Sequence, residues 1–238
     1  MSSRRTLIAV LIAGGVTVAV AGVAFAYYMV FAGSSPQRLT LSSPTATPSG
    51  SATTSSSPAA GTWTVTTGSQ AGYRVREQLA SLAAPTDAVG RTSSVHGTVT
   101  IAGSASNGSV SAASIRVDVN TLTSDRSMRD ARIHVMGLES DRYPQATFTL
   151  TSPIALPADA GNGQAFNASA TGQLTIHGVT KTVNIPIQAR LTGSQIELAG
   201  SLTFPFEQFG MTPPSIGGFV SVQDNATVEF DVKLVQGA

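Results

Sequence analysis

From Trp63 onward the chain is written in short segments in which apolar and polar residues alternate, and that period of two admits little besides half-buried β-strands. Thr227 to Val235 is the clearest case. Val228, Phe230, Val232 and Leu234 share one face, and Glu229, Asp231 and Lys233 share the other. Val183, Ile185, Ile187, Ala189 and Leu191 form a similar row opposed by Thr182, Asn184, Gln188 and Arg190. Pro186 falls on the polar face of that row, and a residue without a backbone donor belongs at an edge or a bulge. Ile115, Val117 and Val119 against Arg116 and Asp118 make a third strand, and Tyr73 and Val75 against Arg74 and Arg76 a fourth. Turn residues punctuate these runs at Asn107-Gly108, Gly161-Asn162-Gly163, His177-Gly178 and Thr192-Gly193. One segment breaks the rhythm. Ser124 or Asp125 is placed to cap a short helix that runs to about Met136, with Gly137 as its stop. The expected class is all-β: about eight antiparallel strands, each with one apolar face, plus one short helix. Periodicity alone does not separate a sandwich from a closed barrel.

The first sixty residues are of another kind. Leu7 to Ala32 carries no charge and is long enough to cross a bilayer as a helix, with Arg4 and Arg5 ahead of it to hold the N-terminus in the cytoplasm. The expected order is a cytoplasmic stub at 1–6, a transmembrane anchor at 7–32, a Ser/Thr/Pro-rich disordered spacer at 33–61 and the β domain at 62–236. A signal peptide cleaved near Ala24-Phe25-Ala26 is the alternative. Either way the domain is exported: a single-pass cell-membrane protein with its C-terminal domain outside the cytoplasm, or a secreted one.

Composition removes several function classes. Setting aside Arg4, Arg5 and Arg38, eleven basic residues face thirteen acidic ones, so no nucleic-acid partner is expected. The absence of cysteine excludes disulfides and thiol chemistry. His96, His134 and His177 follow no metal-ligand spacing, and neither a nucleophile elbow nor a phosphate-cradling loop occurs. No cofactor, metal site or enzymatic activity is expected. In the charge-dense run Ser124 to Asp130, Asp125 and Arg129 stand at helical i,i+4 spacing, which points to a structural pairing.

Four stretches resemble the YceI-like lipid-binding domains: WTV at Trp63; VHGTVTI from Val95; VDVNTLTSDRSMRD from Val117, followed by YPQATFTL from Tyr143; and GQLTIHGVTKTV from Gly172 to Val183. The opening departs from the family pattern, since Gly68-Ser69 and the Tyr73 strand stand where a His-Ser pair and a Val-x-His are frequent. That marks a divergent branch. The resemblance implies a lipocalin-like antiparallel barrel whose interior holds an apolar polyisoprenoid or similar amphiphile. The residues expected to line it are Tyr73, Val75, Val117, Phe148, Leu150, Leu174, Ile176, Val183, Ile185, Phe204, Phe206 and Phe230. For Phe204, Phe206 and Phe209 a plug at one barrel end is the competing reading. The expected partners are the lipid and, through the N-terminal helix, the membrane; a homodimer is left open. The rival function is a solid barrel acting through its surface as a structural or stress-related envelope protein.

Overall fold

The structure is a computed structural model that describes residues 35–43, 60–79, 85–103, 107–192, 194–216 and 220–237. The anchor expected at 7–32 and most of the expected spacer lie outside these residues. All the elements belong to one compact unit, Gln37–Ala238.

Twelve strands follow in order: β1 (Gly61–Val65), β2 (Gln70–Leu79), β3 (Thr86–Thr92), β4 (Val95–Ala102), β5 (Ser109–Asp118), β6 (Gln145–Leu150), β7 (Ile154–Ala155), β8 (Phe166–Ile176), β9 (Val179–Thr192), β10 (Gln195–Phe204), β11 (Ser215–Ile216) and β12 (Val220–Gln236). All pairings are antiparallel, and the path β1-β4-β5-β6-β8-β9-β10-β12 closes because β1 also pairs with β12, Trp63 opposite Gln236. Eight strands therefore form a barrel. β12 is long because one of its edges serves two partners in turn, β1 at Leu234 to Gln236 and β2 at Val220 to Asp231. The β2–β3 hairpin thus continues the wall above β1, and Arg91 of β3 exchanges two backbone hydrogen bonds with Thr123, at 2.9 and 3.0 Å.

Local chemistry explains the joints. His177 and Gly178 both have positive φ, 52° and 72°, the conformation a two-residue hairpin needs to match strand twist. A side chain at Gly178 would also stand 2.5 Å from the Tyr143 ring. The β9–β10 ladder ends at Ile187 opposite Gly200, one residue short of Pro186, so the proline sits where β9 loses that neighbour. The gap between the diverging strands is filled by a helical turn, Phe206–Phe209. Phe204 and Phe209 meet edge to face there with ring centroids 4.7 Å apart. The expected helix is shorter than 124–136: α1 spans Ser127–Arg132 and continues as one π-helical turn, Ile133–Gly137. Neither Ser124 nor Asp125 caps it, since Arg126 occupies the cap position without a side-chain bond. Ser124 instead donates its N–H and hydroxyl to the Asp130 carboxylate, at 3.0 and 2.6 Å.

The outer face is not uniformly solvated. Glu229 is 1% exposed and Arg74 6%, although both point away from the apolar interior. Arg74 and Arg91 flank the Glu229 carboxylate at 3.3 and 2.8 Å, and Arg190 holds Glu197 at 2.7 Å. Burying such charges is tolerable only when they are paired. Part of the stretch expected to be spacer lies on this surface. Ser42 donates its N–H and hydroxyl to Glu197 at 3.0 and 2.5 Å, its carbonyl accepts from Arg190 at 2.6 Å, and the Gln37 carbonyl accepts from Arg91. Leu39 and Leu41 are half-buried. Composition makes this stretch look unable to order itself; it is ordered because the barrel supplies its hydrogen-bond partners.

Candidate functional site

The barrel is hollow. A cavity of about 210 Å³ runs along its axis, from Val119, Leu122 and Leu138 at one end to Val110, Leu150 and Ile154 at the other. Its wall is almost entirely hydrocarbon. An apolar void of about 150 Å³ already stays dry and accepts a benzene-sized guest, so this one suits an apolar ligand better than water.

Two features keep the centre open. Small residues, Ala71, Ala113, Ala146 and Ala170, occupy inward positions where bulky side chains would meet across the axis. In addition, the three aromatic rings on the wall each approach a cross-strand glycine closely. A Cβ at Gly90 would stand 2.3 Å from Tyr73 Cε1, one at Gly172 2.4 Å from Phe148 Cζ, and one at Gly200 2.8 Å from Phe230 Cζ. Glycine in a strand allows such close approach, and the rings then line the lumen instead of filling it.

Of the residues expected to line the interior, Tyr73, Val117, Phe148, Leu150, Leu174, Ile176, Ile185 and Phe230 do so. Val75, Val183, Phe204 and Phe206 do not. They belong to a packed cluster with Phe209, Met211 and Ala226. The reason is the parting of β9 from β10: the open seam draws Phe204, Phe206 and the wholly buried Phe209 into a plug, which covers Val183. The plug reading of the phenylalanines is the one the structure adopts.

One end of the cavity carries the polar groups. Tyr73 shares the inner face with Glu77, and its hydroxyl is buried beneath Ser124, Arg129 and Asp130 without a well-formed hydrogen bond. Burial pushes its pKa above the usual phenol range, so it stays neutral. Glu77, 8% exposed, receives Arg129 Nη2 at 2.6 Å, while Arg129 Nη1 reaches Asp125. Burial works against the Arg129 charge, but these two carboxylates outweigh it and hold the guanidinium protonated. The Asp125–Arg129 pairing expected from sequence is present; the link from Arg129 to Glu77 was not anticipated. Glu77 continues the inward row of Tyr73 and Val75, so extending that alternation by one step would have found it.

None of the histidines joins the cavity wall. His96 lies 3.5 Å from Asp118 on an exposed strand face, His134 bonds Ser140 at 2.5 Å, and His177 meets the Tyr143 ring edge to face and lies 3.2 Å from Glu139. With one neutral hydroxyl and one neutralised ion pair at the end of a hydrocarbon chamber, the arrangement can enclose an apolar molecule.

Comparison with known proteins agrees with this architecture. The model of the YceI-like domain matches residues 63–234. A polyisoprenoid-binding domain from Saccharophagus degradans, implicated in plant cell wall breakdown, superposes with a TM-score of 0.55 at 15% identity. That likeness covers 75% of this chain and all of the other, and it shows a shared fold. BcnA from Burkholderia cenocepacia aligns at 23% identity over 68% of this chain and 95% of its own, with a TM-score of 0.49. A UPF0312 protein of Vibrio campbellii is 37% identical over 70 residues, 29% of this chain, which spans a third of that relative's length. The family match takes in the barrel strands, the helical segment Ser127–Gly137 and the cavity wall together, and on that ground the chain belongs to the YceI-like family.

Proposed function

We propose that this protein binds, sequesters or carries an apolar isoprenoid-like lipid or amphiphile inside its barrel, outside the cytoplasm, and performs no chemistry on it. The observation that carries the reading is the hydrocarbon-lined cavity of about 210 Å³, held open by alanines and by aromatic rings set close against glycines. Each buried CH₂ contributes about 0.8 kcal/mol, so a five-carbon prenyl unit contributes about 4 kcal/mol before association costs. Those costs run to about 4–15 kcal/mol, so useful affinity requires several units or a long alkyl chain. The Saccharophagus relative is a polyisoprenoid-binding domain, which supports the ligand class. Export rests on the uncharged run Leu7 to Ala32 behind Arg4 and Arg5. A solid barrel working only through its surface would have no use for the void.

The test is native mass spectrometry of protein purified from its own host, followed by organic extraction and identification of the released compound. A co-purifying apolar chain is expected. Protein that is empty and also takes up no 1-aminoanthracene would sink the reading.

A further inference from the structure

The segment Ser127–Gly137 is unusual among the elements of this protein. It contains no buried side chain, and it turns Met128, Val135 and Met136 outward at 72%, 67% and 74% exposure. These three exposed side chains give one short segment an apolar outer face. Immediately after it Leu138 turns inward and lines the cavity, as do Val119 and Leu122 just before it. One short segment therefore separates the apolar lumen from an apolar outer surface.

Its attachment is slight. The Arg129–Glu77 ion pair, the Ser124–Asp130 bonds and the His134–Ser140 bond hold it, no side chain caps its start, and its second half is a π turn. Few buried apolar contacts mean a low free energy of local opening. Below it the Tyr73 hydroxyl lacks a well-formed hydrogen bond, so the closed arrangement leaves one polar group unsatisfied.

Charge around the patch is balanced: half-buried Arg126 and exposed Arg132 and Arg142 are matched by Asp125, Asp141 and Glu139. A partner selected by charge, such as a nucleic acid or an acidic protein, does not fit. Hydrocarbon does. We infer that Ser127–Gly137 is a lid that docks on the surface of a lipid bilayer through Met128, Val135 and Met136, opening the barrel mouth so that the apolar ligand passes directly between membrane and cavity. This rests on the lipid-binding reading of the cavity. Burying the patch in the bilayer interface offsets release of Arg129 from Glu77, and the ligand never crosses water.

The native chain has no cysteine, so a single introduced one can be labelled cleanly. Met136→Cys on the lid and Asn107→Cys in the turn at the other end of β5 would each carry a nitrobenzoxadiazole probe in the full chain, mixed with dioleoylphosphatidylcholine vesicles. The label at 136 is expected to shift to the blue and to be quenched by nitroxide-chain lipid at least about fivefold more than the label at 107. Equal quenching at the two sites overturns the inference. So does a shift at 136 that follows protein concentration without vesicles, since the patch would then meet a second copy. The triple variant Met128→Ser, Val135→Ser, Met136→Ser should bind 1-aminoanthracene as the wild type does but deliver it to vesicles about tenfold more slowly, corresponding to about 1.4 kcal/mol of lost docking; unchanged delivery also overturns the inference. If the wild type takes up no 1-aminoanthracene, the cavity reading fails, and the labels still decide the docking.

Discussion

Ala113→Leu separates a hollow barrel from a filled one by the sign of its effect. Ala113 is on β5, half-buried, facing the cavity beside Ile115 and Val99. Leucine adds three carbons, which at about 0.8 kcal/mol each would contribute at most about 2.4 kcal/mol once buried. Loss of rotamer freedom removes about 0.5–1 kcal/mol, leaving a gain of about 1.5 kcal/mol. The void of about 210 Å³ has room for the added carbons without displacing the wall. For a domain of this size each kcal/mol moves Tm by about 2–4 °C, so the variant should melt about 3–6 °C higher. Calorimetry on ligand-free protein measures this, and titration with 1-aminoanthracene should show weaker binding, because the guest has lost room. In a well-packed interior the same change costs about 1–3 kcal/mol. A lower Tm with unchanged uptake would refute the reasoning, because the space inferred from the wall residues would not exist.

Gly90→Ala places a methyl group where the Tyr73 ring lies and should push that ring into the lumen; 1-aminoanthracene affinity is expected to drop about tenfold, with a stability loss within the overpacking range of about 1–3 kcal/mol. Glu229→Ala removes the carboxylate shared by buried Arg74 and half-buried Arg91 while Arg74 keeps Asp87 at 3.1 Å, and urea denaturation should report a loss of about 1.5–3 kcal/mol. Glu197→Ala removes the acceptor for both Ser42 donors, so trypsin should cut after Arg38 faster than in the wild type while the barrel stays folded; an unchanged rate would mean that these bonds do not hold the segment around Ser42 down. Asp231 has its pKa pushed up to about 6 by burial and by Glu197 beside it, with one carboxylate oxygen unpaired. The folded protein therefore takes up this proton as pH falls through about 6, whereas the unfolded chain does so only near about 4, and stability attributable to Asp231 rises across that window. Asp231→Asn should stabilise the protein at pH 7 and flatten that rise. Glu197 and Asp87 have the opposite sign: for both, burial opposes the charge but hydrogen bonds and arginines outweigh it and lower the pKa, so their contribution is lost only as pH falls below the ordinary carboxylate range.

Much of the wall could be read residue by residue. The alternation that put Val117, Phe148, Leu174 and Ile185 on one face also put them on the lumen, since a strand has only two faces and one is apolar. The same reasoning failed for Val75, Val183, Phe204 and Phe206, because facing inward does not say which part of the inside a residue meets. That depended on β9 and β10 separating at Pro186 and Gly200, a long-range event with no local signature beyond the proline. Likewise the run of charges on β2, β9, β10 and β12 reads as solvated. Pairing across these strands and the passing segment at Ser42 bury it, and nothing in any single strand announces its cover.

Sequence by itself determined the all-β class, the turns, the inward and outward faces and the family, because each depends on neighbours within a few residues or on wording shared over the whole domain. Whether the closed sheet would be hollow was decided only in three dimensions. The void exists because Tyr73, Phe148 and Phe230 meet Gly90, Gly172 and Gly200 on other strands, and cross-strand register is a property of the assembled sheet.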